Sequence, residues 1–312
     1  MSDTETRRPV APDDLFRLQL IHDARLSPDG TMAVYVLSQS DEDSTRERAA
    51  LWLVSLESGE ARQLTSGSAR DFSPDWSPDG RTLAFLSTRS IKTQVYLISI
   101  DGGEARQITR LPQGVGGGPR WSPDGTQLAF SAAPESPPDL TQPYRLTRNT
   151  YRFDELGYLD GAVQEIYVVG IDGDEPRRLT EDDRNNTMPQ WSPDGREVLF
   201  NAALLPDSFR PSYPQLRAVT LDGDVRDLLG DWGYSAAAAW MPDGRVVFCG
   251  QPYGQPAGSK NDVWLIGRDG GTPGCRSAET PLHLCGSLQS DLPVALAPLM
   301  RVLVAPDGSA AY

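Results

Sequence analysis

Six copies of one short turn, Ser-Pro-Asp-Gly or a close variant, recur along the 312 residues, with their prolines at Pro28, Pro78, Pro123, Pro193, Pro242 and Pro306. In Trp76-Ser77-Pro78-Asp79-Gly80 the residue order suits a type I turn. Proline sets φ at the second position, aspartate suits the third, and glycine takes the positive φ that follows. Such a turn closes a β-hairpin, and a short apolar run of strand length follows each copy, as in Leu83-Ala84-Phe85-Leu86, Leu128-Ala129-Phe130 and Val198-Leu199-Phe200.

A second hairpin follows in each unit. Leu51-Trp52-Leu53-Val54 precedes Glu57-Ser58-Gly59-Glu60, Val95-Tyr96-Leu97-Ile98 precedes Asp101-Gly102-Gly103-Glu104, and Ile166-Tyr167-Val168-Val169 precedes Asp172-Gly173-Asp174-Glu175. The returning strands are Arg62-Gln63-Leu64-Thr65, Arg106-Gln107-Ile108-Thr109 and Arg178-Leu179-Thr180. Two hairpins per unit make four antiparallel strands, and the prolines are spaced by 50, 45, 70, 49 and 64 residues. This period predicts an all-β chain, a β-propeller of about five complete units and a truncated sixth. A β-sandwich is the alternative, but it would not require the same turn chemistry in every unit.

The spacing divides the chain into an N-terminal segment (1–25), blades (26–272), an irregular segment (273–305) and the start of an incomplete blade (306–312). An insertion at about 134–163 accounts for the 70-residue interval. It leaves through Pro134-Glu135-Ser136-Pro137-Pro138 and is too aromatic for a disordered linker. Its plainer reading is an extended edge packed over one blade. The functional reading turns Tyr151 and Arg152 toward a ligand, and these two are the candidate substrate-facing residues. After Asp269-Gly270-Gly271 the expected returning strand is replaced by Thr272-Pro273-Gly274-Cys275-Arg276-Ser277, and Tyr312 falls in mid-blade. An open blade edge exposes unpaired backbone groups, so the expectation is a truncated product of something longer.

The 29 Lys and Arg stand against 43 Asp and Glu, a net charge of −14 with no basic stripe, which disfavours nucleic acid and anionic membranes as partners. The N-terminus has no apolar signal-peptide core. The apolar stretch Leu292–Pro306 is interrupted by Pro293, Pro298 and Arg301 and is too short to span a bilayer. The expectation is a soluble, cytoplasmic protein without a cofactor: Cys249, Cys275 and Cys285 lack metal spacing and read as free structural thiols.

These blades resemble those of TolB-like and prolyl oligopeptidase propellers. Tyr151-Arg152-Phe153-Asp154-Glu155-Leu156-Gly157-Tyr158-Leu159-Asp160-Gly161 and the start Asp13-Asp14-Leu15-Phe16-Arg17-Leu18 are similar to the acylaminoacyl-peptidase branch of that serine-peptidase family, a resemblance covering residues 13 to about 272. It implies an N-terminal propeller that caps a C-terminal α/β-hydrolase domain, admits small peptides, and leaves Ser, Asp and His to the hydrolase.

No catalytic residue is expected within the 312. A nucleophile elbow needs Gly-x-Ser-x-Gly, and the nearest sequence, Gly233-Tyr234-Ser235-Ala236-Ala237, lacks the last glycine. The two histidines, His22 and His283, sit in no triad motif. Asp41-Glu42-Asp43 and Glu181-Asp182-Asp183 lack calcium-loop spacing and read as solvated loops, and the aspartates of the six turns read as structural. The first expectation is therefore a substrate-gating cap with peptides as indirect partners, a possible homo-oligomer, and no hydrolysis by the isolated chain. The rivals are a TolB-like protein-interaction module and a metal-dependent propeller lactonase, for which no metal-ligand spacing speaks.

Overall fold

The computed structural model describes residues 9–42, 47–134, 163–204, 214–255, 259–281 and 302–311, together with the backbone of 152–153 and 157–158. Five four-stranded antiparallel sheets form the blades. Blade 1 holds β1 (Gln19–Leu26), β2 (Met32–Ser40), β3 (Glu47–Ser55) and β4 (Ala61–Gln63). Blade 2 holds β5 (Asp71–Trp76), β6 (Thr82–Ser87), β7 (Gln94–Ser99) and β8 (Arg106–Gln107). In blade 3, β9 (Gly117–Trp121) and β10 (Gln127–Ala132) are separated from β13 (Glu165–Gly170) and β14 (Arg177–Arg178) by the insertion. The insertion forms its own two-stranded ladder of β11 (Arg152–Phe153) and β12 (Gly157–Tyr158). Blade 4 holds β15 (Arg184–Trp191), β16 (Glu197–Leu204), β17 (Gln215–Thr220) and β18 (Val225–Asp227). Blade 5 holds β19 (Gly233–Trp240), β20 (Val246–Pro252), β21 (Asp262–Ile266) and β22 (Gly274–Cys275). Among the described residues the array is open, and no strand of blade 1 pairs with blade 5.

Three expectations need correction. Blade 1 begins at Gln19, so residues 19–25 are its inner strand rather than part of a segment that precedes it. A bulge between His22 and Arg25 breaks the alternation that would have marked this strand. Residues 274–275 do form the fourth strand of blade 5, paired to Leu265 and Trp264. The Val263 N–H donates to Ser277 Oγ at 2.9 Å, as the Leu51, Val95 and Ile166 N–H groups donate to Thr65, Thr109 and Thr180. A serine thus serves where threonine marked the slot. Finally, Cys249 is disulfide-bonded, whereas Cys275 is free; Cys285 lies outside the described residues.

Inner blades are covered on both faces, which is why their second strands read as continuous apolar runs. Phe85, Phe130, Phe200 and Phe248 fill the same slot and are each at most 1 % exposed. Each faces the preceding blade: Phe85 packs with Val34 and Leu53, Phe130 with Leu86 and Val95, Phe200 with Ile166 and Val168, and Phe248 with Leu199 and Leu216. Val302 continues the stack by packing on Ala237 and Val247. Gly308 of the sixth turn has φ +70, and a Cβ there would stand 3.4 Å from the Pro242 ring of the fifth.

Polar contacts repeat with the blades. In each of the first four turns the serine hydroxyl donates to the aspartate two residues on, at 2.6 Å in the first three and 2.7 Å in the fourth. These hydroxyls, and then backbone N–H donors, hold Asp29, Asp79 and Asp124 below the ordinary carboxylate range. The inner edge is fastened by tryptophan: the indole N–H of Trp76 donates to Arg25 O, that of Trp121 to Asp75 O and that of Trp191 to Arg120 O. The outer edge is fastened by arginine from the fourth strands of blades 1 to 4, with Arg62, Arg106, Arg177 and Arg226 donating to carbonyls of Ile100, Ile171, Leu221 and Arg268 in the next blade. The arginine of the Arg-x-Leu-Thr signature is therefore an inter-blade fastener.

Between blades 4 and 5 the pattern changes. The indole nitrogen of Trp240 is buried without a hydrogen-bond partner. Arg268 reaches back instead, to Asp194 at 2.8 and 3.1 Å and to the buried Glu197. The hydrogen bonds from Arg268 hold Asp194 far below its ordinary range; burial opposes them, and the Ser192 hydroxyl and the Arg196 N–H add to the lowering. Asp194→Asn is expected to cost about 0.5–1 kcal/mol near neutral pH, as half-exposed ion pairs do. Because the folded-state carboxyl stays ionised to lower pH than the unfolded one, that advantage is present above about pH 4 and is lost as the pH falls further. Thermal melts of wild type and variant should converge toward about pH 2.

Candidate functional site

The five inner strands, β1, β5, β9, β15 and β19, surround a central cavity of about 1050 Å³. Each is involved in a register shift with its neighbour. At the bulges Asp23, Ser73, Gly118 and Met188 take φ values of +41°, +51°, +97° and +58°. For the three residues with side chains this conformation costs about 1–3 kcal/mol each and must be imposed by the surrounding sheet. Two residues beyond each bulge, and three before each turn proline, lie Arg25, Asp75, Arg120 and Gln190, all lining the cavity.

This slot alternates in charge around the first three blades. Asp75 Oδ1 stands 4.0 Å from Arg25 Nη1 and 3.7 Å from Arg120 Nη1. Its Oδ2 accepts the Trp121 N–H at 3.0 Å. Arg25 Nε donates to Asp23 Oδ1 at 3.1 Å, and Arg120 Nη1 donates to the Pro119 carbonyl at 2.7 Å. Burial, and then the charge of Arg25, push the Arg120 guanidinium below its ordinary value while Asp75 opposes them. Arginine nonetheless remains charged in such surroundings. Arg70 also lines the cavity; it pairs with Glu47 at 3.2 Å and lies over the Phe72 ring. Elsewhere the walls are aromatic or small, with Trp76, Trp121, Trp191 and Trp240 beside Gly116–Gly118.

Of the residues singled out in the sequence, Tyr151 lies outside the described residues, and Arg152 is described only as a backbone position of β11 opposite Tyr158. His22 is in β1, its Nε2 2.7 Å from Ser38 Oγ. Ser235 is buried in β19 with its hydroxyl donating to the Ala237 carbonyl at 3.4 Å, an environment without an attacking geometry. Of the acidic clusters, Glu181 is exposed, whereas Asp182 accepts from Arg217 at 2.8 Å and from Asn186 at 2.9 Å, so it is an anchor rather than a solvated charge. Among the described residues no group of three or more His, Cys, Asp or Glu could hold a metal, and no helix is long and apolar enough to cross a membrane. The Arg25–Asp75–Arg120 set escaped the sequence reading. Aligning the six turns and reading the third position before each proline would have exposed it.

Residues 20–142 match the family model of the TolB beta propeller domain, PD40. The uncharacterized peptidase YuxL of Bacillus subtilis (strain 168) is 28 % identical over 208 residues, which cover 64 % of this chain and 32 % of that protein. Among solved structures, the acylaminoacyl peptidase of Pyrococcus horikoshii superposes with a TM-score of 0.66 at 16 % identity, over 85 % of this chain and 40 % of that one. A putative TolB from Agrobacterium tumefaciens superposes with a TM-score of 0.55 at 25 % identity, over 82 % of this chain and 80 % of that one. The chain thus spans about a third of the Bacillus peptidase and two fifths of the Pyrococcus one.

Proposed function

We propose that this chain is the substrate-gating propeller of an acylaminoacyl-peptidase-like serine peptidase whose nucleophile, acid and base lie outside these 312 residues. The observation that carries the reading is the similarity over 208 residues to the Bacillus peptidase, a protein about three times as long as the matched segment. An array of rigid blades around a cavity of about 1050 Å³ suits a filter: it excludes folded proteins by size and orients a short peptide before chemistry begins. In this reading Tyr151 and Arg152, carried on the insertion of blade 3, face the peptide, and Arg152 supplies the planar fork that pairs with a carboxylate.

The second reading, a propeller that binds a protein partner through loops on one face, is favoured by the putative TolB from Agrobacterium, of which this chain covers 80 %. Fluorophosphonate labelling of the polypeptide made from this gene separates the two. Label on a serine of a Gly-x-Ser-x-Gly sequence outside residues 1–312 is expected for the peptidase cap. An unlabelled polypeptide of propeller length would support the interaction module.

A further inference from the structure

The central cavity holds more guanidinium groups than the carboxylates that face it. Arg25, Arg70 and Arg120 line it against Asp75 alone, within a protein whose net charge is −14. Arg70 is engaged by Glu47 at 3.2 Å. Arg25 is held at its Nε by Asp23 at 3.1 Å, but the terminal nitrogens that Arg25 and Arg120 turn toward Asp75 are less engaged, because separations of 4.0 and 3.7 Å exceed hydrogen-bond reach and the other carboxylate oxygen already accepts the Trp121 N–H. Arg25 Nη2 is buried without a hydrogen-bond partner. A buried, charged donor in that state costs more than a lost neutral hydrogen bond.

We propose that Arg25 and Arg120 form a carboxylate-recognition site in the central channel, which takes the free carboxylate end of a peptide. A ligand carboxylate lying between the two guanidiniums can accept from both, satisfying Arg25 Nη2 and giving Arg120 the hydrogen-bonded carboxylate that Asp75, at 3.7 Å, is not. The tryptophans beside the pair, Trp76 and Trp121, offer apolar walls to the residues next to the carboxylate. The acidic exterior sharpens the selection: a ligand negative along its length is repelled before it enters, whereas a short chain with one terminal charge gains attraction only inside. This site belongs to the propeller itself and does not depend on whether a hydrolase domain follows.

Titrating residues 1–312 with acetyl-Ala-Ala-Leu as its free acid and as its C-terminal amide, by calorimetry, tests the proposal. The acid is expected to bind about tenfold or more tighter than the amide, and Arg25→Met and Arg120→Met are each expected to weaken the acid about tenfold while leaving the amide unchanged. Arg25→Lys, which keeps the charge, should retain part of the preference. Asp75→Asn removes the competing carboxylate and should tighten the acid. Competition by acetate at the same concentration as the peptide would support the carboxylate site and assign it to small free acids. Equal binding of acid and amide, no binding of either to the folded chain, or undiminished acid binding by an arginine-to-methionine variant that melts at the wild-type temperature would overturn it.

Discussion

Phe130→Ala is expected to lower the unfolding free energy by about 3–5 kcal/mol, the range for removing a large aromatic from a closed core. Phe130 is wholly buried on β10, where it packs with Leu86 and Val95 of blade 2 and lies 5.7 Å from the stacked ring of Tyr167. Its loss opens a void between two sheets that are each fixed by tryptophan and arginine fasteners, so the cavity cannot collapse by sliding one blade onto the next. Tyr35 provides the control. It fills the same slot in blade 1, stacked on Trp52 at 6.4 Å, but is only half-buried because no described blade covers it. Tyr35→Ala should therefore cost less than half as much. Urea midpoints at unchanged slope measure both, and equal losses would show that the slot does not derive its strength from the preceding blade.

Asp75→Ala is expected to cost about 2–3 kcal/mol, for an electrostatic reason. Asp75 is the carboxylate between Arg25 and Arg120, whose side chains are only 16 % and 20 % exposed. Removing it leaves two like charges facing each other in the channel and takes the acceptor from the Trp121 N–H. Asp75→Asn keeps an acceptor oxygen and should recover part of the loss. A denaturation midpoint for Asp75→Ala within about 1 kcal/mol of wild type would mean that solvent already screens the pair.

Much of the architecture was legible because it is encoded locally. The Ser-Pro-Asp-Gly turn carries its own hydrogen bonds, from the serine hydroxyl to the aspartate and from the backbone two residues later, so each copy announces a hairpin without reference to the rest of the chain. What stayed hidden depends on neighbours. The Arg-x-Leu-Thr signature was visible as a strand, but its arginine acts across a blade boundary, as Arg106 does on Ile171 O. Ser277 took a threonine's place in a stretch that had lost every other mark of the repeat. Asp194 looked like the other turn aspartates until Arg268, 74 residues later, folded back onto it. The channel residues were the least legible: Arg25, Asp75 and Arg120 are ordinary charged residues in sequence, and they converge only because successive inner strands bring one slot to one axis. Tyr151 and Arg152 were chosen for their aromatic and basic chemistry in the insertion; Tyr151 lies outside the described residues, and Arg152 is a backbone position opposite Tyr158.

The central claim is that these blades serve a serine peptidase without containing its nucleophile. Its most direct measurement is to treat the polypeptide that cells make from this gene with a fluorophosphonate and to map the label by peptide mass. One labelled serine is expected, in a Gly-x-Ser-x-Gly sequence C-terminal to residue 312, and none within residues 1–312. A labelled serine inside residues 1–312, or a polypeptide that carries no label and no such sequence, would contradict it.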